Sequence, residues 1–146
     1  WYFQAIDSQL GINRVQEFLN KIEYGNQTTS SNLDLYWSDF SLKISPLEQV
    51  TLLKKFNTNE FHLNSQNVFS VKNAIKIAST PNGNFYGKTG TGRVNGQDIN
   101  GWFIGYVETS DNSYYFATNI QSDSNATGKK AFEITSDILK KLHIWN

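Results

Sequence analysis

Apolar residues recur at helical spacing through the first part of the chain, and the period shortens to that of strands after Pro81-Asn82-Gly83. Phe3, Ile6 and Leu10 predict a first helix, with Gly11 as its stop. Val15, Phe18, Leu19 and Ile22 share one face of a second helix, with Gly25 as its stop. Gln27 to Asn32 is polar and aperiodic and reads as a surface loop. A short aromatic patch follows at Leu35, Tyr36 and Trp37. Ser45-Pro46-Leu47-Glu48 carries the signature of a helix start: Ser45 as N-cap, Pro46 in the first turn, Glu48 closing a capping box. Val50, Leu52, Leu53 and Phe56 are its core candidates. Ser65 to Ala78 reads as a fourth helix, with Val68, Val71 and Ile75 aligned.

Three strands are expected beyond the turn at Pro81-Asn82-Gly83: Phe85 to Thr91, Ile99 to Thr109 and Ser113 to Gln121. Asn95-Gly96 is a hairpin signal between the first two, and Ser110 to Asn112 a short turn between the others. Consecutive strands with short connections give an antiparallel meander. A last helix runs from about Thr127 to Leu142, with Ala131, Ile134, Ile138 and Leu142 as its buried stripe. The expected fold is α/β of the α+β kind, an antiparallel sheet flanked by helices, with residues 1–146 as part of one domain.

Composition narrows the function. The chain has 146 residues, enough for a core without staples. Aromatics at 14 % exclude disorder as the main reading. Thirteen basic residues balance thirteen acidic ones, which argues against a nucleic-acid partner. No apolar run has the length of a membrane span, and no signal peptide opens the chain. Cys is absent, which excludes disulfides and thiol chemistry. Met is absent as well, even at position 1, so an interior piece of a longer protein is expected.

Candidate chemistry concentrates at Lys88-Thr89-Gly90, followed by Thr91 and Gly92. A cation, two hydroxyls and two glycines on a strand suit an anionic ligand laid alongside it. The same residues would also serve an edge strand that bends at glycine and keeps soluble through lysine. Trp37 is either a packed anchor or a functional indole donor. Tyr24-Gly25-Asn26 reads by itself as a helix end. Lys129 and Lys130 oppose the helix dipole at the start of the last helix, which suits either solvation or an anion. His62 and His143 share no metal-ligand spacing, and no metal is expected.

Taken in order, W-Y-F-Q, Y-G-N, Trp37, L-K-I-S-x-x-E-Q, Y-G-K-T-G-T-G, N-G-W-F-I-G-Y-V-E and Y-Y-F-A-T resemble the C-terminal part of the penicillin-recognising serine proteins. Within them the chain is similar to class D β-lactamases and to penicillin-sensing receptor domains. The resemblance implies a β-lactamase/transpeptidase-like fold. It implies that Lys88 acts in catalysis, that Thr89 and Gly90 line the strand of the site, and that the Thr91 backbone helps form the oxyanion hole. It matches Trp37 to an indole that hydrogen-bonds a carboxylated lysine, and Tyr24, Gly25 and Asn26 to a motif shaping the floor of the site. Many class D enzymes use an arginine on the last helix for the substrate carboxylate. Ala131 aligns there, leaving Lys129 or Lys130 as weak substitutes.

The family also needs a Ser-x-x-Lys nucleophile and a second serine motif, and neither stands in the right place here. The nucleophile, and the lysine that takes up CO2 as a carbamate, are therefore expected on a missing N-terminal segment of the same protein. No other cofactor is implied. The 146 residues alone are expected to be inactive. The implied function is β-lactam hydrolysis through a serine acyl-enzyme. The alternative is an extracellular sensor domain that is acylated and deacylates slowly, and a transpeptidase or inactive binding fold comes third. The implied partners are β-lactam antibiotics, with a membrane only in the receptor case. The implied location is secreted or cell-surface, in a bacterium.

Overall fold

The chain divides into two units, Trp1–Leu52 and Leu53–Asn146. The computed structural model describes residues 2–29, 36 and 41–145. Leu35, Trp37 and the end of the expected loop at 27–32 lie outside the described residues, as does the side chain of Phe3.

In the first unit, helix α1 (Tyr2–Leu10) and helix α2 (Ile12–Lys21) meet at Gly11. Gly11 sits at φ 79°, a conformation that favours glycine, and its amide closes the last turn of α1 on the Asp7 carbonyl at 2.9 Å. Val15 and Leu19 of α2 are buried, whereas Phe18 is largely exposed. The end of α2 differs from expectation. Glu23, at φ 54°, takes the left-handed position expected of Gly25, and the Tyr24 amide bonds back to the Leu19 carbonyl at 3.0 Å. The helix therefore stops before Gly25, which is free for another task.

Helix α3 (Pro46–Asn57) starts as its sequence requires. The Ser45 amide donates to the Glu48 carboxylate at 2.8 Å, and the Glu48 amide donates to Ser45 Oγ at 3.3 Å. That reciprocal bond holds the Glu48 carboxyl below its ordinary range.

In the second unit, helix α4 (Ser65–Ala74) is capped by Asn64, whose side chain accepts from the Gln66 and Asn67 amides. It ends earlier than its apolar spacing indicated, and Val71 is exposed. Lys76–Thr80 form a strand, β1, which the period did not reveal. The turn at Pro81-Asn82 folds these residues back on strand β2 (Gly83–Val94), pairing Ala78 with Phe85. Hairpin pairing satisfies the backbone here, and β-branched Ile75 and Ile77 favour it over continued helix.

Strands β3 (Gln97–Thr109) and β4 (Ser113–Gln121) complete a four-stranded antiparallel meander in the order β1-β2-β3-β4. Asn95 at φ 48° and Gly96 at φ 78° make the expected hairpin turn. One face of the sheet packs on helix α5 (Gly128–Lys141). Phe85, Phe103 and Val107 meet Ala131 and Leu139 there, with Phe116, Phe132 and Trp145 closing the cluster. The buried stripe of α5 is Gly128, Ala131, Thr135 and Leu139, while Ile138 and Leu142 face outward. Thr135 is accepted in the core because its hydroxyl bonds both the Ala131 carbonyl and Thr118. The opposite sheet face carries a tyrosine row. Tyr86 stacks on Tyr106 at 4.6 Å between ring centroids, and Tyr115 follows at 5.6 Å. Burial, with the Glu108 carboxylate nearby, holds the Tyr106 phenol well above its ordinary range.

Candidate functional site

β2 carries Lys88-Thr89-Gly90 out of the paired part of the sheet. β1 pairs with β2 only as far as Tyr86, with one further bond from the Gly87 amide to the Ile75 carbonyl. Among the described residues, nothing pairs with Lys88 to Val94 on the side away from β3. On the β3 side the ladder continues: Lys88 opposite Ile104, Thr89 opposite Phe103, Gly90 opposite Trp102, Thr91 opposite Gly101. Alternation puts Lys88 on the tyrosine face and Thr89 on the face that packs against α5. Lys88, Thr89, Gly90 and Thr91 are all exposed, and the Lys88 ammonium donates to the Thr89 carbonyl. Among the described residues the result is a strand edge that no further strand pairs, with one cation and two hydroxyls, held to the sheet by its ladder with β3. Such an edge can pair with the amide of an extended ligand and neutralise a carboxylate.

The start of α5 abuts this strand. The Gly128 amide donates to Thr91 Oγ1 at 2.9 Å, and Thr127 caps the helix by accepting from the Lys130 amide. Exposed Lys129 and Lys130 thus begin one and two residues beyond a contact with Thr91. Ala131 is fully buried in the core cluster and offers no surface to a ligand. Gly128 and Thr127 were not singled out in the sequence. The only local signal is a capping threonine before glycine, which marks a helix start and not a site.

Tyr24-Gly25-Asn26, in the first unit, forms a clamp. The Asn26 amide donates to the Lys43 carbonyl at 2.9 Å, the Lys43 amide donates to Asn26 Oδ1 at 2.9 Å, and Asn26 Nδ2 donates to the Ser41 carbonyl at 2.8 Å. A Cβ on Gly25 would lie 1.9 Å from the Lys43 carbonyl oxygen, so only glycine permits this approach. The Tyr24 hydroxyl donates to Gln49 Oε1 at 3.3 Å, and burial pushes its phenol up. Burial beside the Asp7 carboxylate pushes the Tyr36 phenol up to about 12. Trp37 lies outside the described residues.

Two concavities lie away from the Lys88 edge. One of about 600 Å³ sits at the β3–β4 turn around Asp111 and Tyr115. The other, about 390 Å³, lies between β4 and α5. His62 and His143 are exposed, and among the described residues no group of three His, Cys, Asp or Glu could hold a metal ion.

The chain that folds into this meander backed by α5 belongs to the family described as penicillin binding protein transpeptidase domain, whose profile matches residues 1–140. Among its relatives, the regulatory protein BlaR1 of Bacillus licheniformis is 47 % identical over 145 residues, which are 99 % of this chain and 24 % of that protein. The solved C-terminal domain of the Bacillus licheniformis BlaR penicillin-receptor superposes with a TM-score of 0.94 at 46 % identity, covering all of this chain and 59 % of that one. A class D β-lactamase from Bacillus subtilis superposes at 0.91 with 37 % identity, also covering all of this chain and 59 % of that one. The chain thus spans about a quarter of the curated receptor it matches.

Proposed function

We propose that this chain supplies the K-T-G edge of a β-lactam-acylated site and that the whole protein is a penicillin-sensing receptor. The observation that carries the reading is the exposed Lys88–Thr91 edge held against the start of α5. Greater identity with the receptor than with the hydrolase favours sensing over turnover. Hydrolysis by a class D mechanism is the second reading, because acylation uses the same parts.

A serine from a segment outside these residues attacks the lactam carbonyl. The carbon–nitrogen bond breaks, and the serine proton passes through a base to the lactam nitrogen. The Lys88 ammonium lowers the energy of the developing charge. The Thr91 amide is one donor to the oxyanion, a contact of the kind worth about 3 kcal/mol. Thr89 and Gly90 align the ligand along the strand, and Lys129 or Lys130 draws its carboxylate toward the start of α5. Tyr24, Gly25 and Asn26 hold residues 41–49 by the bonds described above. A lysine carbamate, where formed on the other segment, would supply the general base, and Trp37 would donate to it. Among the described residues no helix is long and apolar enough to cross a membrane. The proposed location is the bacterial cell surface, with secretion in the hydrolase case.

The test uses the full-length protein with a fluorescent penicillin. Intact mass should show one covalent adduct that persists for hours in a receptor and is released within seconds to minutes in an enzyme. Lys88→Ala should slow acylation by roughly tenfold to a hundredfold, the cost of a lost charge-assisted contact. No adduct under any condition refutes the proposal.

A further inference from the structure

Gly128 opens α5 against β2 more closely than packing a helix on a sheet requires. A Cβ at this position would lie 2.6 Å from the Gly90 carbonyl oxygen, 2.9 Å from the Gly90 amide nitrogen and 2.9 Å from Thr89 Cβ. Two of these atoms are backbone and the third is the root of a side chain, so none can swing aside. The Gly128 amide donates to Thr91 Oγ1. Across the ladder from Thr91 stands Gly101, where a Cβ would lie 2.4 Å from the Thr127 carbonyl oxygen. A helix start, two glycines and one hydroxyl therefore make a single joint. Having accepted the Gly128 amide, the Thr91 oxygen has its own hydrogen left to point elsewhere.

The joint matters because the strand it holds is otherwise poorly restrained. Beyond Gly87, β2 pairs on one side only among the described residues, it contains Gly87, Gly90 and Gly92, and its register with β3 slips between Gly92 and Arg93. The helix is the rigid partner, anchored in the core by Ala131 and Leu139.

We propose that Gly128 is a positioning residue for β-lactam recognition: by fixing the Gly90 backbone and the Thr91 hydroxyl, it sets the height and direction of the Lys88–Thr91 edge without touching the ligand. The inference rests on the reading of that edge as a β-lactam site. Small misplacements of such an edge are expensive, because acylation needs the lactam carbonyl held at a fixed distance from the serine and the oxyanion donors.

The full-length protein provides the test, with Gly128→Ala, Thr91→Val, Thr91→Ser and, as a control in the middle of α5, Thr135→Val. Two quantities are measured. One is the rate of acylation by a fluorescent penicillin and by its methyl ester. The other is amide hydrogen exchange over residues 88–92. Gly128→Ala should slow acylation by roughly tenfold or more, narrow the preference for the free carboxylate over the ester, and speed exchange at 88–92. Thr91→Val should do the same. Thr91→Ser, which keeps the acceptor, should recover most of what Thr91→Val loses in both measurements, and Thr135→Val should change neither. Parent-like acylation and exchange in Gly128→Ala overturn the proposal. If Gly128→Ala does not fold, Thr91→Val against Thr91→Ser decides on the same two measurements. If the parent itself takes no penicillin, the functional reading fails, and exchange alone decides the joint: unchanged rates overturn it and faster rates uphold it.

Discussion

Phe103→Ala tests whether the site stands on the core described for the second unit. Phe103 is 1 % exposed. Its ring meets Phe85 edge-on at 6.1 Å, Phe132 edge-on at 5.0 Å and Phe116 tilted at 5.2 Å. It also fills the space left by Gly87, where a Cβ would lie 2.5 Å from Phe103 Cζ, one residue before Lys88. Truncation removes the buried ring and leaves a cavity, a change that costs about 3 to 5 kcal/mol in well-packed cores. Loss of ring–ring geometry belongs to the upper part of that range. Folded domains are stable by only about 5 to 15 kcal/mol, so most of the margin is at stake. With a urea dependence of about 2 kcal/mol per molar, a loss of about 4 kcal/mol moves the unfolding midpoint down by about 2 M. Urea titration followed by near-ultraviolet circular dichroism reads this directly, because the aromatic cluster is the signal. Phe103→Leu, which keeps part of the volume, should fall in between. A midpoint lowered by less than about 0.5 M would refute the packing argument, since a surface change has that size.

Ser45→Ala should lower the melting temperature and release Glu48. Its folded carboxyl titrates below the ordinary 4.5, so it adds stability above the unfolded value, and that stability is lost as pH falls through the folded value. Carboxyl NMR should show the low midpoint in the parent and a return toward 4.5 in Ser45→Ala; equal midpoints would contradict the capping box. Tyr106→Phe should be neutral or stabilising by up to about 1 kcal/mol, because among the described residues the buried hydroxyl has no hydrogen-bond partner to lose. Thermal unfolding checks it, and a loss above about 1 kcal/mol would assign that hydroxyl a bound water. Trp37→Phe in the full-length protein, in the hydrolase case, should slow deacylation more than acylation and be partly rescued by bicarbonate, since a charge-assisted donor is worth about 1.5 to 3 kcal/mol. Pre-steady-state kinetics separate the steps, and equal slowing without rescue makes Trp37 a packing residue.

Local chemistry made much of this fold readable. Ser45, Pro46 and Glu48 specify a helix start within four residues, and Asn95-Gly96 specifies a hairpin within two, because each satisfies its own backbone groups without distant help. The alternation from Phe85 onward marked three strands for the same reason. The family was legible because K-T-G, Y-G-N and the N-G-W-F-I-G-Y-V-E strand occur together in one order. What sequence could not settle depended on partners far along the chain. β1 exists because the turn at Pro81-Asn82 brings Ala78 to Phe85, which outweighs a helical spacing of Val68, Val71 and Ile75. The buried face of α5 turned to Thr135 and Leu139, away from Ile138 and Leu142, because Thr118 offers the Thr135 hydroxyl a bond and the sheet accepts Leu139. Gly25 looked like a helix stop and is instead the point where Lys43 comes closest, and Gly128 carried no signal until the fold laid it on Gly90. A glycine's conformational freedom can be read from its neighbours in sequence. The space its missing Cβ must leave open is set by whichever backbone the tertiary structure brings against it.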